Sequence, residues 1–317
     1  MSGIETGSIE IASLTDVGCQ RSNNQDNYGE MEFSSGARLL IVADGMGGHA
    51  GGATASRVAV AAVESVFASS TDPPDVALRA ALEQANREVH GEAQRDTELA
   101  GMGTTGVALL MLPDGRAWVA NVGDSRAYRM HDGQIEQISL DHSLVAELTR
   151  RGVITEEEAL VHPRRNEVLR SIGVEPEVEV DLYELTMQPG DQFLLCSDGL
   201  SGVVRDEEIA EVMRREPPVE AVRALVAFAN ERGGPDNVTV QIARIPDESR
   251  ANLLAEKVQA AEELVRRRKA RNLSVTLVVV ALLLAAALLF ALVGQLDVKS
   301  TSDGPEPSES REGFPRE

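Results

Sequence analysis

Cysteine is nearly absent: the 317 residues hold only Cys19 and Cys196, far apart and outside any CxxC pair. No redox pair is available, and a reducing, cytoplasmic setting is expected for the N-terminal part. The opening MSGIETGSIE lacks the basic and apolar regions of a signal peptide. Basic residues are scarce too, 30 Lys and Arg against 51 Asp and Glu, for a formal net charge of -21. Such a chain is poorly equipped for the phosphate contacts of a nucleic-acid binder, and its acidity reads as a solvated surface. No Walker-type glycine loop with a lysine occurs, which argues against a nucleotide kinase. Residues 8–245 contain no internal repeat and no low-complexity linker, so they read as one domain. With 43% hydrophobic and 26% charged residues, the chain has ample material for a core.

One apolar run is long. LSVTLVVVALLLAAALLFALVG, Leu273–Gly294, contains no charged residue and suffices to cross a bilayer as a helix, so a single transmembrane span is expected over 273–295. RRRKAR, Arg266–Arg271, precedes it, whereas Lys299 alone follows before an acidic, Ser/Pro-rich tail. Positive residues stay inside, which places the N-terminal domain in the cytoplasm of a single-pass cell-membrane protein. Leu254, Val258, Ala261 and Val265 recur at helical spacing, so 246–272 is expected to form a basic juxtamembrane helix. The tail, 296–317, is too short and polar to pack a core and is expected to be disordered.

Within the domain, TTGVALLML-PDG-RAWVANVGD and SRAYRM-HDG-QIEQISL each set a Gly-containing turn between β-rich runs, the pattern of antiparallel hairpins. Helical periodicity appears in ATASRVAVAAVESVFASS, in PDVALRAALEQANREVHGEAQ, and from Asp206 to about Arg232. Hairpins with helices before and after them indicate an α+β layered fold.

Aspartates punctuate these runs. LLIVADGMGGHAGG ends its apolar stretch on Asp44, AWVANVGDSR on Asp124 and DQFLLCSDGL on Asp198, while Asp236 opens GGPDNVTVQI. Asp26 and Arg21 stand in the polar stretch TDVGCQRSNNQDNYG, read as a loop. A single Asp-Gly pair is most simply a β-turn, whereas several carboxylates at adjacent strand ends suit Mg²⁺ or Mn²⁺; the residues alone leave both readings open. Gly45 lets the backbone turn so that its carbonyl could also face a metal. Arg21 has the planar fork that holds a phosphate by two parallel hydrogen bonds.

Taken together, GCQRSNNQD, VADGMGGHAGG, GTT (Gly103–Thr105), NVGDSRAY, CSDGL and GPDNVTV resemble, in order, the motifs of the metal-dependent type-2C protein serine/threonine phosphatases in their bacterial form. The resemblance runs from about Ile9 to Ile245. It implies two stacked antiparallel β-sheets flanked by helices, a four-layer α-β-β-α sandwich, with a two-metal centre at one end. By this resemblance Asp44 bridges two Mn²⁺ or Mg²⁺ ions, Asp198 and Asp236 complete the first site, and the Gly45 carbonyl serves the second. Asp26 acts through bound water, Asp124 and Asp198 flank a third, weaker metal of bacterial members, and Arg21 holds the substrate phosphate. The implied chemistry is hydrolysis of phosphoserine and phosphothreonine by a metal-activated water, without a phosphoenzyme. Met46 stands where animal members carry a histidine often assigned as general acid, and His49 is the nearest other candidate.

Other phosphate chemistries lack their residues. A cysteine nucleophile needs an arginine six positions on, yet Cys196 leads to Gly202 and Cys19 to Gln25. An aspartyl nucleophile of the haloacid dehalogenase kind needs a second Asp two residues on, where Asp44 has Met46, and GDSR has no histidine for a calcineurin-like centre. Two classes therefore stand: an active, monomeric, membrane-tethered phosphatase opposing a membrane serine/threonine kinase, and a phosphoprotein-binding module without turnover. Complete acidic ligands favour the first. A narrower specificity for one anti-sigma-factor antagonist would reside in surface loops. The stretch Ser143–Gly173, with Arg150, Arg151, Arg164 and Arg165, resembles the family's flap beside the metals.

Overall fold

Five apolar runs make the centre. In the computed structural model, which describes residues 9–48 and 50–247, β3 (Arg38–Met46), β5 (Gly106–Met111), β6 (Arg116–Val122), β10 (Gln192–Cys196) and β11 (Val238–Arg244) are buried along nearly their whole lengths. An antiparallel strand buried on alternate residues covers one face only; continuous burial means that both faces are covered. The remaining strands are β1 (Glu10–Asp16), β2 (Asp26–Glu32), β4 (Gly103–Thr104), β7 (Arg126–His131), β8 (Gln134–Gln137) and β9 (Asp181–Thr186). They form two antiparallel sheets, one ordered β1-β11-β10-β7-β8 and the other β2-β3-β5-β6-β9, with β4 beside the end of β3. Both expected hairpins are present, β5 with β6 and β7 with β8. The second turns on Asp132 and Gly133, both at positive φ (49° and 76°), the left-handed pair that a two-residue hairpin requires.

Three apolar clusters separate the layers. Leu39, Ile41, Ala108 and Leu110 of one sheet pack on Ala55, Ala59, Val63, Leu78 and Leu82 of helices α1 (Gly51–Ser69) and α2 (Pro74–Arg95). Leu40, Val42, Val107 and Leu109 point the other way, between the sheets, to meet Phe193, Leu195 and Ala243. Tyr128, Leu194, Val240 and Ile242 pack beneath α6 (Asp206–Arg215) and α7 (Pro218–Glu231), with Leu200 of the one-turn α5 (Asp198–Ser201). Alternating residues of single strands thus serve different clusters, the period-two consequence of burying both faces. The architecture is the expected α+β sandwich, helices outside two antiparallel sheets.

Sequence and structure differ at three places. Helical periodicity from Asp206 to Arg232 is divided, because Pro217 and Pro218 cannot continue α6 and instead start α7. Asp26 is not in a loop: it opens β2 directly opposite Asp44. Asp44 is not terminal, since β4 pairs with Gly45 and Met46 and carries β3 two residues further. Between β8 and β9 lie α3 (Leu144–Arg150), capped by the Ser143 hydroxyl, and α4 (Glu156–Leu160), closed by a Thr155–Glu158 capping box. Neither helix buries a side chain. The segment is tied at its base, where Thr104 and Ile172 exchange backbone hydrogen bonds of 2.9 and 2.8 Å. Among the described residues no helix is long and apolar enough to cross a membrane. His49, the juxtamembrane stretch beyond residue 247, the apolar run 273–295 and the tail 296–317 lie outside the described residues.

Candidate active site

The antiparallel register delivers acids to one end of the sandwich. Asp26 and Asp44 face each other across β2 and β3, Asp124 follows β6, Asp198 follows β10, and Asp236 precedes β11, the neighbour of β10. Close backbone approach holds them there. A Cβ on Gly45 would lie 2.1 Å from the Gly52 carbonyl oxygen, and one on Gly52 would lie 2.7 Å from the Gly45 oxygen, so only a glycine pair leaves that carbonyl uncovered. On the other sheet a Cβ on Gly199 would lie 1.8 Å from the Asn237 oxygen, which makes the CSDG turn equally intolerant.

Four of these acids, Asp26, Asp44, Asp124 and Asp198, are buried against one another, with part-exposed Asp236 at their edge. Desolvation pushes the Asp26 carboxyl up to about 7, against an ordinary 3.8, and the Asp198 and Asp236 charges add to the shift. Asp124 is likewise raised to about 7 by burial, then by Asp198 and Asp141, with Arg126 opposing. Asp44 lies well above its usual range because it is buried and faces Asp26, Asp198 and Asp124. Asp198 is raised by burial and by Asp236, while a hydrogen bond shared with Asp44 holds it down. All five expected carboxylates therefore belong to one electrostatic cluster.

Two observations show that a divalent cation fits it. Asp26 Oδ1 and Asp198 Oδ1 are buried without a hydrogen-bond partner, an orphaned state that buried carboxylate oxygens rarely keep without a cation or water. The donors are all hard oxygens, the set that Mg²⁺ and Mn²⁺ prefer. Among the described residues, no group of three acidic, His or Cys side chains is closed around a single point. The basin is an open one, in which each ion would take few side chains and complete its shell with water.

Arg21 stands at the rim. Its Nη2 donates to Asp236 Oδ2 at 2.7 Å, and the side chain is half exposed, so the guanidinium reaches solvent as well as the acids. An Arg21→Ala variant is expected to raise KM for a phosphopeptide about tenfold to a hundredfold, the loss of one or two charge-assisted hydrogen bonds, with a smaller effect on kcat. Steady-state kinetics on one peptide checks this; unchanged KM with low kcat would contradict a phosphate-binding role.

Several residues of the site escaped the sequence reading. The Asp44 N–H donates to Thr105 Oγ1 (2.9 Å), and Thr104 Oγ1 donates to the Asp44 carbonyl (2.8 Å). Thr105 Oγ1 in turn meets the buried Ser125 Oγ at 2.7 Å, which links the Asp44 strand to the turn carrying Asp124. Behind Asp124, Arg126 grips Asp141 with Nε and Nη2, at 3.0 and 2.7 Å to Oδ2. Ser197 and Thr239 hydroxyls each donate to Asp26 Oδ2 at 2.7 Å. GTT and DNVTV did advertise threonines inside apolar strands, but not what they would hold. Met46, next to Gly45, has no proton to exchange and so cannot itself serve as a general acid.

A basin of hard-oxygen donors on a two-sheet sandwich, with an arginine at its rim, defines a metal-dependent hydrolase of phosphate esters. Residues 19–245 match the family described as Protein phosphatase 2C. The serine/threonine phosphatase stp of Listeria monocytogenes is 40% identical over 232 residues, 71% of this chain and 92% of that protein. The crystal structure of the Mycobacterium tuberculosis serine/threonine phosphatase PstP/Ppp superposes with a TM-score of 0.69 at 38% identity, covering 75% of this chain and 99% of that one. The catalytic domain of PstP in complex with two manganese ions matches at a TM-score of 0.67 and 37% identity, over 75% of this chain and 99% of that chain. The chain belongs to the protein phosphatase 2C family. It is a protein serine/threonine phosphatase, dependent on divalent metal and acting on phosphorylated proteins.

Proposed function

We propose that the chain uses two Mn²⁺ or Mg²⁺ ions to hydrolyse phosphoserine and phosphothreonine of cytoplasmic proteins, opposing a serine/threonine kinase of the same membrane. Asp44 would be shared by the two ions, Asp198 and Asp236 would hold the first, the Gly45 carbonyl the second, and Asp26 would act through water; a third, weaker ion would sit between Asp124 and Asp198. When bound, such a pair would supply a water of lowered pKa and would offset charge developing on phosphorus. Arg21 binds and orients the phosphate at the rim, bringing its phosphorus over the acids. Thr104 and Thr105 fix the Asp44 backbone, and the Arg126–Asp141 pair braces the Asp124 turn. The observation that carries this reading is the convergence of four aspartates, Asp26, Asp44, Asp124 and Asp198, raised by burial and by neighbouring carboxylates, with Asp236 beside them and two orphaned oxygens among them. Phosphate release from phosphothreonine peptides with Mn²⁺, abolished by chelator, is the expected result; no turnover across several peptides would overturn it.

The same proposal includes place. The apolar run Leu273–Gly294 and the RRRKAR before it support a single span, with the catalytic domain (8–245) on the cytoplasmic side, a juxtamembrane helix over 246–272 and the residues after the span outside. Protease added outside intact cells should leave the catalytic domain uncut and reach only residues beyond the apolar run. Digestion of the catalytic domain from outside would reverse the topology.

A further inference from the structure

Asp26 is held by a closed circuit of donors. Its N–H donates to Asn24 Oδ1 (3.1 Å), and the Asn24 amide donates from Nδ2 to Thr15 Oγ1 (2.8 Å). Thr15 Oγ1 meets Thr239 Oγ1 at 2.7 Å, and Thr239 Oγ1 meets Asp26 Oδ2 at 2.7 Å. A hydroxyl has one proton, which fixes the direction of the chain. Thr239 gives its proton to the carboxylate, so at Thr15 it can only accept; Thr15 therefore donates to Thr239 and accepts from Asn24. Ser197 completes the set: its Oγ accepts the Thr239 N–H (3.0 Å), which leaves its proton for Asp26 Oδ2 (2.7 Å).

Every polarised O–H and N–H in this circuit runs toward one oxygen. Two donors fill Asp26 Oδ2, while Oδ1 of the same carboxylate is buried and has none. Ser197 and Thr239 are themselves fully buried, and they come from β11 and the end of β10, in the sheet opposite to Asp26. Their sequence distances from Asp26 are 171 and 213 residues, so local turn formation does not explain them. A buried donor pair that saturates one carboxylate oxygen and spares the other is a device for aiming the spared one.

We propose that Ser197 and Thr239, backed by Thr15 and Asn24, are positioning residues that turn Asp26 Oδ1 toward the cation-bound water and thereby set divalent-cation affinity. The proposal rests on the reading of Asp26 as an outer ligand, and the donors do not touch substrate. Removing an outer-shell partner of this kind costs about tenfold to a hundredfold in metal affinity. Thr239→Val keeps the shape and deletes the hydroxyl; Thr239→Ser restores it. Ser197→Ala deletes the second donor with the smallest change of volume.

Calorimetric titration of the full-length chain with Mn²⁺, each variant also melted in chelator, tests this. Thr239→Val and Ser197→Ala are expected to bind Mn²⁺ more weakly by about tenfold or more, and Thr239→Ser to recover wild-type affinity. KM for a phosphopeptide at saturating Mn²⁺ should not move, because Arg21 is untouched. Affinity within about twofold of wild type in both Thr239→Val and Ser197→Ala overturns the proposal, as does failure of Thr239→Ser to recover it. Should Thr239→Val not fold, Ser197→Ala against wild type decides. Asp26→Ala separates the two levels: if it leaves Mn²⁺ affinity intact, the outer-ligand reading fails; if it weakens binding while the hydroxyl variants do not, only the positioning role fails.

Discussion

Asp44→Asn is expected to lower phosphopeptide turnover by about three orders of magnitude while making the metal-free domain more stable. The first half follows from its central position, facing Asp26, Asp198 and Asp124. Losing about 4 kcal/mol of transition-state charge stabilisation corresponds to a factor of about 10³ in rate. The second half follows from the same burial: without cations, an ionised Asp44 repels three carboxylates in a place that disfavours charge. An amide keeps the shape and removes that repulsion, and each kcal/mol relieved raises the melting temperature by about 2–4 °C in a domain of this size. Paired measurements check it, turnover with Mn²⁺ and melting in chelator near pH 8. Unaltered turnover would remove Asp44 from the site, and a lower melting temperature would show that its ionised form is not strained.

In chelator, the melting temperature is expected to fall as pH rises from about 5 to about 8, the reverse of the usual behaviour of carboxylates. Asp26 and Asp124 titrate near 7 in the folded chain and near 3.8 when unfolded. Between those values the folded state holds protons that the unfolded state has released, so this contribution is full below about 4 and is lost as pH climbs through about 7. Asp44 and Asp198 are displaced in the same direction and add to the trend. Saturating Mn²⁺ should reverse it, because cations replace the protons. At a hundred times the dissociation constant the gain is about 2.7 kcal/mol, roughly 5–10 °C here. Melting curves at several pH values with and without Mn²⁺ give the answer; a flat profile in chelator would mean that the aspartates are not mutually buried.

Much of this was readable from residues alone, for identifiable reasons. Strands buried on both faces are apolar throughout, so β3, β5, β6 and β10 announce themselves, and PDG and HDG mark the hairpins. Asp44, Asp124, Asp198 and Asp236 stand out as charges bordering apolar runs. Asp26 was hidden as a strand residue because β2, DNYGEME, has polar and glycine positions that imitate a loop. The site's braces were hidden for a different reason. Thr239 is far from Asp26 in sequence, and only pairing of β11 within the opposite sheet brings its hydroxyl there. Sequence spacing carries no signal for such a contact. The break at Pro217 and Pro218 was, in contrast, legible, and periodicity across it simply outweighed the prolines.

The two sheets contribute to the site from opposite sides: Asp26 and Asp44 ride on one, Asp198 and Asp236 flank strands of the other, and between the sheets lies a mainly apolar layer, crossed at the site by the Ser197 and Thr239 hydroxyls on Asp26. Cations held in common would act as rivets through two stacked plates at one end. At the far end a separate tie crosses the sheets, where Arg129 of β7, itself held by the fully buried Asp191 ahead of β10, donates from Nη2 to the Thr186 carbonyl of β9. Sliding of the plates is then pivoted at that fastening and felt most at the riveted edge, where a small shear changes the separation of the ligands. The same geometry that lets the acids meet makes their spacing a gauge of how the sheets are stacked, so a substitution deep in the layer between Leu40, Val107 and Phe193 can retune the metal centre without touching it.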